Sequence, residues 1–308
     1  MPTNTLLMIQ PATFGYNEQT ATNNFYQNAP TDLSSEAIQE KSLTEFNGLV
    51  ALLRSKGVNV IVIPDTETPE TPDAIFPNNW ISFHESGSVA LYPMFAPNRR
   101  AERREDILVL LEEKGFIIED VMDYSSAEEE EIFLEGTGSM VLDRLNQKAY
   151  LALSPRSDEE LFIEFCEDFE YTPIIFNAYQ TVNNQRERIY HTNVMMSIAD
   201  EYALICLDAI DDKKEKKILV EQLREDEKEI IVITEAQVQH FAGNALQVKG
   251  LGQNYLVMST QAYQSLTQEQ IEKIERYNPI IHSDLSTIEY YGGGSARCML
   301  AEIYLEMV

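Results

Sequence analysis

The feature that most constrains this sequence is a period. Polar or glycine-rich clusters recur as PNNW (77–80), EGTG (135–138), HTN (191–193), AGN (242–244) and GGGSARC (292–298), each opening an extended segment. With Asn79, Glu135, His191, Asn244 and Cys298 as markers, the steps are 56, 56, 53 and 54 residues. Units of this length cannot bury an apolar face alone and must stack on their neighbours. Five of them account for nearly the whole chain.

Each unit carries the same local signals. Apolar, β-rich runs occur at 58–63, 116–122, 172–179, 228–234 and 278–285. Ahead of them lie helix-like stretches at 43–57, 103–115, 158–169, 213–226 and 267–277, with apolar residues at i, i+3, i+4 and i+7. Gly57 and Gly115 read as stops just past a helix end. This pattern predicts an α/β fold: one domain over 1–308, a closed ring of five units with helices outside and short strands inside. The first strand, TLLMIQP, would complete the last unit and close the ring. Equivalent strand ends would then converge, bringing the five markers to one central cavity. The alternative is a doubly wound sheet. Against it, no βα turn carries G-x-G-x-x-G, and GGGSARC is not followed by a phosphate-cradling Gly-Lys-Ser/Thr.

Composition narrows the partners. The 308 residues hold 23 basic and 51 acidic side chains, a formal charge of −28. Such a surface repels phosphate backbones and anionic lipid, so neither nucleic acid nor membrane is an expected partner. The acidic run Glu128–Glu131 reads as a solvated loop or helix start. The N-terminus lacks the basic and apolar regions of a signal peptide, and no apolar run approaches the ~20 residues of a membrane helix. A cytoplasmic, reduced setting is expected, with a small molecule as the partner; a homo-oligomer is compatible with it.

Three cysteines cannot all pair. Cys166 sits on an amphipathic helix and Cys206 in an apolar strand, which suits buried, inert thiols. Cys298 differs, because glycines precede it and allow close approach to a ligand, and Arg297 beside it would favour a thiolate. His84, His240 and His282 suit surface or capping roles. His191 holds the third marker position, and Glu135 stands where it can orient that histidine and bind substrate nitrogens. No HxxxH, CxxC or HExxH spacing exists, so neither metal nor cofactor is expected.

The segments PDAIFPNNW, FLEGTG, HTN and GGGSARCM resemble the guanidine-modifying superfamily of arginine deiminases, dimethylarginine hydrolases and amidinotransferases. Over its full length the chain also resembles the citrulline-utilising hydrolases (citrulline ureidase type). The resemblance implies a pentein fold, an α/β propeller of five pseudo-symmetric ββαβ units around a central channel. It implies Cys298 as nucleophile, His191 as general acid/base and Glu135 as its partner. Asp73, Asn79, Asn193 and Asn244 would bind substrate. MFAPNRRAERR and LALSPRSDEE resemble the segments that hold a substrate carboxylate, which map onto Arg99 or Arg100, with Arg100 taken, and onto Arg156.

The departures from that pattern concern the substrate. Arginine deiminases and dimethylarginine hydrolases carry an aspartate where this chain has Asn79. Arginine deiminases have another in place of Asn193. A guanidinium is a permanent cation and pure donor, which suits carboxylates. A ureido group is neutral and offers a carbonyl acceptor, which an asparagine amide matches from both sides. The expected activity is therefore hydrolysis of the ureido or guanidino C–N bond of a citrulline- or arginine-like substrate, through a thiol-bound intermediate. Arginine deimination, amidino transfer and non-catalytic amino-acid binding are the alternatives.

Overall fold

The computed structural model describes residues 1–30 and 33–307. The apolar runs form strands at Asn59–Pro64, Asp120–Asp123, Thr172–Phe176, Glu229–Val232 and Ile280–Ser283. Each follows its helix: Ser35–Ser55, Glu105–Glu113, Glu159–Asp168, Lys213–Glu225 and Gln268–Glu275. Four of these helices begin where a side chain satisfies the free backbone donors, and Glu105–Glu113 has no such cap. Ser34 accepts from Ala37, Asp158 from Leu161, Asp212 from Lys214 and Glu215, and Thr267 forms a capping box with Gln270. In the first helix Ile38, Phe46, Leu49 and Leu53 are buried, a stripe of helical period facing the strands. Gly57 ends it at φ +83°, where a Cβ would lie 2.7 Å from that of Leu251.

Five three-stranded sheets share one order. In each, the central strand pairs antiparallel with the strand before it and parallel with the strand that returns after the helix. The first of these is Ile81–Phe83, Ser88–Leu91 and Asp120–Asp123. The next two are Met140–Asp143, Lys148–Ala152 and Thr172–Phe176, then Met196–Ile198, Tyr202–Ile205 and Glu229–Val232. A fourth joins Leu246–Lys249, Asn254–Ser259 and Ile280–Ser283. The fifth is assembled from both ends of the chain: Thr5–Gln10 lies between Ala301–Glu302 and Asn59–Pro64, with Leu6 opposite both Glu302 and Val60. Separate small sheets replace the single sheet of a doubly wound fold. The sequence pattern did not anticipate the hairpin Tyr179–Val182 and Gln185–Arg188, which is inserted before the third marker.

Neighbouring sheets touch through the strands that follow the markers: Ala301–Glu302 meets Ile81–Phe83, and Met196–Ile198 meets both Met140–Asp143 and Leu246–Lys249. One buried ion pair also crosses between units. Lys228 Nζ lies 3.0 Å from Asp143 Oδ2, with both side chains closed to solvent, and donates to the carbonyls of Ala199 and Asp200 at 2.9 Å. Removing one partner of such a pair strands a charge, at about 3–5 kcal/mol. Asp143→Ala is therefore expected to lower stability by that amount in urea denaturation, and Asp143→Ala/Lys228→Met to recover most of it. A single-mutant loss below about 1 kcal/mol would show that the ammonium finds solvent.

Candidate active site

Each marker cluster folds as a tight turn that feeds the first strand of its sheet. Pro77–Asn79 and Ala296–Met299 are 3-10 turns, while Gly136–Ser139 and Thr192–Met195 are single helical turns. A short helical turn spends little length and delivers its side chain at the strand end, so the period in sequence becomes convergence in space. Asp73, Asn79, Arg156, His191 and Cys298 all line one cavity of about 250 Å³, together with Arg99. Thr20 and Asn24 wall it on another side.

Glu135 lies behind this wall, with no solvent exposure. Its Oε2 is 2.7 Å from His191 Nε2 and 3.4 Å from a guanidinium nitrogen of Arg156, and its Oε1 accepts the Phe95 amide at 2.9 Å. Burial by itself would raise this carboxyl. Arg156, the His191 hydrogen bond and Arg99 outweigh it and hold the group well below the usual carboxylate range. For His191, burial is the largest effect and lowers the imidazole to about 4; Glu135 opposes this, and Arg156 and Arg99 add to it. At neutral pH the pair is thus a carboxylate and a neutral imidazole, whose proton sits on Nε2 toward Glu135, leaving Nδ1 as acceptor. Gly138 makes the arrangement possible. A Cβ there would fall 2.4 Å from Asn79 Nδ2 and 2.8 Å from His191 Nδ1.

Cys298 is buried, and two amides point at its sulfur: Asn244 Nδ2 at 3.2 Å and Asn193 Nδ2 at 3.6 Å. Of the residues expected to bind substrate, Asn193 and Asn244 are placed with their amides on the thiol, outside the lining of that cavity. Asn244 Oδ1 also accepts the Arg297 amide at 3.0 Å. Arg297 does not reach the sulfur, because its guanidinium pairs with Glu302 at 2.9 Å and with the Leu300 carbonyl. Cys166 and Cys206 are buried in the core, where burial pushes their thiols up to about 12 and about 11.

The arginine expectation is also corrected. Arg100 is turned outward, to the Met94 carbonyl at 3.2 Å and Glu128 at 3.4 Å. Arg99 is the buried neighbour. It forms a two-point pair with Glu102 at 2.9 Å, donates to Asn79 Oδ1 at 2.8 Å and lies 3.8 Å from Asp73. In a 3-10 turn successive side chains diverge by about 120°, so adjacent arginines face opposite ways. Arg156 donates to Asn23 and to the Thr20 carbonyl at 2.8 Å, which ties the segment between the first strand and first helix over the cavity. Asp73 Oδ2 accepts from Asn17 at 2.8 Å and Thr20 at 3.1 Å, while its Oδ1 is buried without a partner. His84 is not a surface residue: it is buried, stacked on Phe169 at 3.9 Å between ring centres, and bonded to Ser82. His240 and His282 are exposed.

The sequence model for N,N dimethylarginine dimethylhydrolase, eukaryotic, matches residues 10–305. The chain belongs to that family. No curated protein matches the sequence. Among solved structures, ArgZ, an arginine dihydrolase from the ornithine-ammonia cycle in cyanobacteria, superposes with a TM-score of 0.76 at 17% identity. The alignment covers 99% of this chain but 41% of ArgZ, so this dimethylarginine dimethylhydrolase family member spans less than half of that protein. The substrate-bound N-terminal domain of ArgZ alone matches with TM-score 0.75, 17% identity and 97% coverage of both chains. A dimethylarginine dimethylaminohydrolase adduct with S-methyl-L-thiocitrulline matches with TM-score 0.64 and 15% identity, over 98% of this chain and all of that one. The likeness to these structures shows a shared α/β fold.

The protonation states give a pH test. Native His191 binds its proton only near pH 4, whereas in the unfolded chain it does so near 6.5. Between those values the unfolded state holds more protons, so stability is complete above 6.5 and falls by up to ~3 kcal/mol on going down to 4. Glu135 acts in the same direction at lower pH, since its stabilisation is present above the unfolded carboxyl value and lost below it. His191→Gln should flatten the urea-denaturation slope between pH 6.5 and 4.5 relative to wild type; parallel slopes would show a histidine that protonates normally.

Proposed function

We propose that this protein is a cysteine-dependent hydrolase of the ureido or guanidino C–N bond of a citrulline- or arginine-like amino acid, releasing ammonia. The observation that carries it is the assembly of Cys298, the His191–Glu135 pair and two buried arginines around one cavity. Arg156 and Asp73 offer complementary charges for the carboxylate and amine of such a substrate.

In this reading Cys298 Sγ attacks the ureido or guanidino carbon. Asn193 and Asn244 stabilise the forming thiolate with neutral N–H donors. His191, neutral at the outset, takes the thiol proton on Nδ1 and becomes an imidazolium paired with Glu135. It then delivers that proton to the departing nitrogen as the C–N bond breaks and ammonia leaves. In the second half His191 removes a proton from water, which attacks the S-bound carbon; the C–S bond breaks and the proton returns to the sulfur, so that a guanidino substrate leaves as the ureido compound and a ureido substrate as a carbamic acid that loses CO2 to give the free amine. No cofactor is required for these steps. The architecture we propose beneath it is one domain, a closed pentein ring of five ββαβ-like units about a central channel. The repeated sheet order and the pairing of both chain ends in one sheet support it. A cytoplasmic setting suits its three free thiols.

A second reading follows from the family match: a guanidinium substrate such as a methylated arginine. The open Oδ1 of buried Asp73 favours it, because an unpartnered carboxylate oxygen suits a cation. Asn79 separates the two. Its Oδ1 is held by Arg99 and its Nδ2 by Asn78 Oδ1 at 3.0 Å, on the cavity wall.

Product analysis with L-arginine, L-citrulline and Nω-methylated arginine tests the activity: ornithine plus ammonia from citrulline supports the first reading, and citrulline plus an amine from the methylated substrate the second. Cys298→Ser is expected to abolish turnover in a folded protein, since a hydroxyl is a far weaker nucleophile at neutral pH. Asn79→Asp places charge beside the substrate head group, and a charged hydrogen bond is worth ~1.5–3 kcal/mol. The ratio of kcat/KM for arginine to that for citrulline should rise at least about tenfold. An unchanged ratio in an active variant would mean that Asn79 does not read the head group.

A further inference from the structure

The residues that hold the nucleophile lie on one short stretch after the last sheet. The helix Ser286–Gly292 leads through Gly293, at φ +62°, into the turn Ala296–Met299. Gly292, Gly294 and Cys298 from this stretch line the cavity. At Gly292 and Gly294 a Cβ would fall within 3 Å of the Phe76 ring, which lines the same cavity, so the stretch is packed tightly on that ring.

Tyr190 and Gln27 donate to the carbonyls of Gly293 and Gly292 at 2.8 and 2.9 Å, and a buried carboxyl holds the Ser295 side chain between them and Cys298. Glu289 is 3% exposed, does not touch the cavity, and accepts the Ser295 hydroxyl at 2.5 Å. The Ser295 carbonyl in turn accepts the Cys298 amide at 3.0 Å, and the Glu289 carbonyl accepts the Gly293 amide at 3.1 Å. The carboxyl therefore connects to the nucleophile through one side chain and one backbone bond. Its second oxygen, Oε2, is buried with no partner at hydrogen-bond distance among the described residues, and the Ser259 hydroxyl is another polar group beside the carboxyl. We propose that Glu289 is a positioning residue for the nucleophile, its carboxylate clamping Ser295 and so fixing the turn that aims Cys298. This rests on the reading of Cys298 as the attacking group.

The surroundings make the clamp depend on pH. Burial raises the Glu289 carboxyl most, to about 7; the Ser259 hydroxyl from the adjacent strand and Ser295 lower it, and Glu45 from the first helix and Asp284 raise it. Above 7 Ser295 is held by a charged acceptor, and below it by a neutral one. Charge-assisted hydrogen bonds are roughly twice as strong as neutral ones, so the nucleophile is held more firmly on the alkaline side.

The test compares wild type with Glu289→Gln, Glu289→Asp and Ser295→Ala. Alkylation of Cys298 by iodoacetamide, followed by peptide mass spectrometry, needs no substrate. It is measured from pH 5.5 to 8.5, beside kcat and KM for L-citrulline. Thiol ionisation affects every variant alike, so the readout is the rate ratio of wild type to variant. For Glu289→Gln and Ser295→Ala that ratio should stay near one at pH 5.5 and grow to about tenfold at 8.5. The growth should appear in kcat with KM nearly unchanged, and Glu289→Asp should recover part of it. A ratio constant across pH overturns the proposal, because a merely structural residue lowers activity uniformly. Should Glu289→Gln fail to fold, Ser295→Ala gives the same reading with the carboxyl in place. A pH-dependent alkylation ratio without turnover of any ureido or guanidino compound would uphold the positioning role and remove the hydrolase assignment. Turnover with a flat ratio would do the reverse.

Discussion

Glu135 carries a negative charge where water does not reach, and the arrangement of the site follows from making that tolerable. An isolated buried carboxylate costs several kcal/mol even after relaxation. Arg156, Arg99, the His191 Nε2–H and the Phe95 amide surround it. Each cation then needs its own partners. Arg99 draws in Glu102 and Asn79, and Arg156 draws in Asn23 and the Thr20 carbonyl. One carboxylate thereby fixes which nitrogen of the histidine carries the proton, the orientation of the Asn79 amide and the path of the segment that Arg156 holds. Such networks change as units, so single substitutions within them report more than one interaction.

The markers were legible because a period survives from sequence into space. Asn79, Glu135, His191 and Cys298 converge since each follows the same turn into the same strand. Helix positions were equally legible, because capping residues such as Asp158 and Asp212 and the terminal Gly57 have local physical reasons. What the sequence did not disclose is direction within a turn. Arg99 and Arg100 differ by one residue and face the cavity and the solvent edge respectively; Arg297 adjoins Cys298 yet turns to Glu302. Asn193 and Asn244 lie at the centre as their markers imply, and that their amides turn to the sulfur is visible only in space. Glu102, three residues after Arg99, was a readable helical pair that passed unnoticed. The Asn- and Thr-rich stretch 17–28 has no apolar periodicity, and its contribution appears only once Arg156 is in place. His84 shares a strand face with Ser82 by the two-residue alternation of a strand, a signal of burial that its neighbouring turn concealed.

The chemistry of the centre is one of balanced charge. Arg99 and Glu102 neutralise each other, and so, in part, do Arg156 and Glu135, which leaves Asp73 facing the cavity with one oxygen unpaired. A substrate bearing an ammonium group completes that account without further change. A second cation at the reacting end has no carboxylate at position 79 to meet it, and Arg99 already lies against the Asn79 oxygen. In the function proposed above the head group facing this wall is neutral, and Asp73 is left for the amine.

The two amides at the sulfur obey the same logic. A thiolate buried 3.2 Å from Asn244 must be stabilised by donors if it is to form at all. Lysine or arginine would supply them but would add a charge beside Arg156 and Arg99, and a carboxylate in either place would repel the thiolate outright. Asparagine supplies N–H donors at no net charge, and its oxygen is free to fix its own orientation, as Asn244 does on the Arg297 amide. Charge at the nucleophile then changes only when the proton moves between Cys298 and His191. The donors that an ionised sulfur needs are therefore already in place.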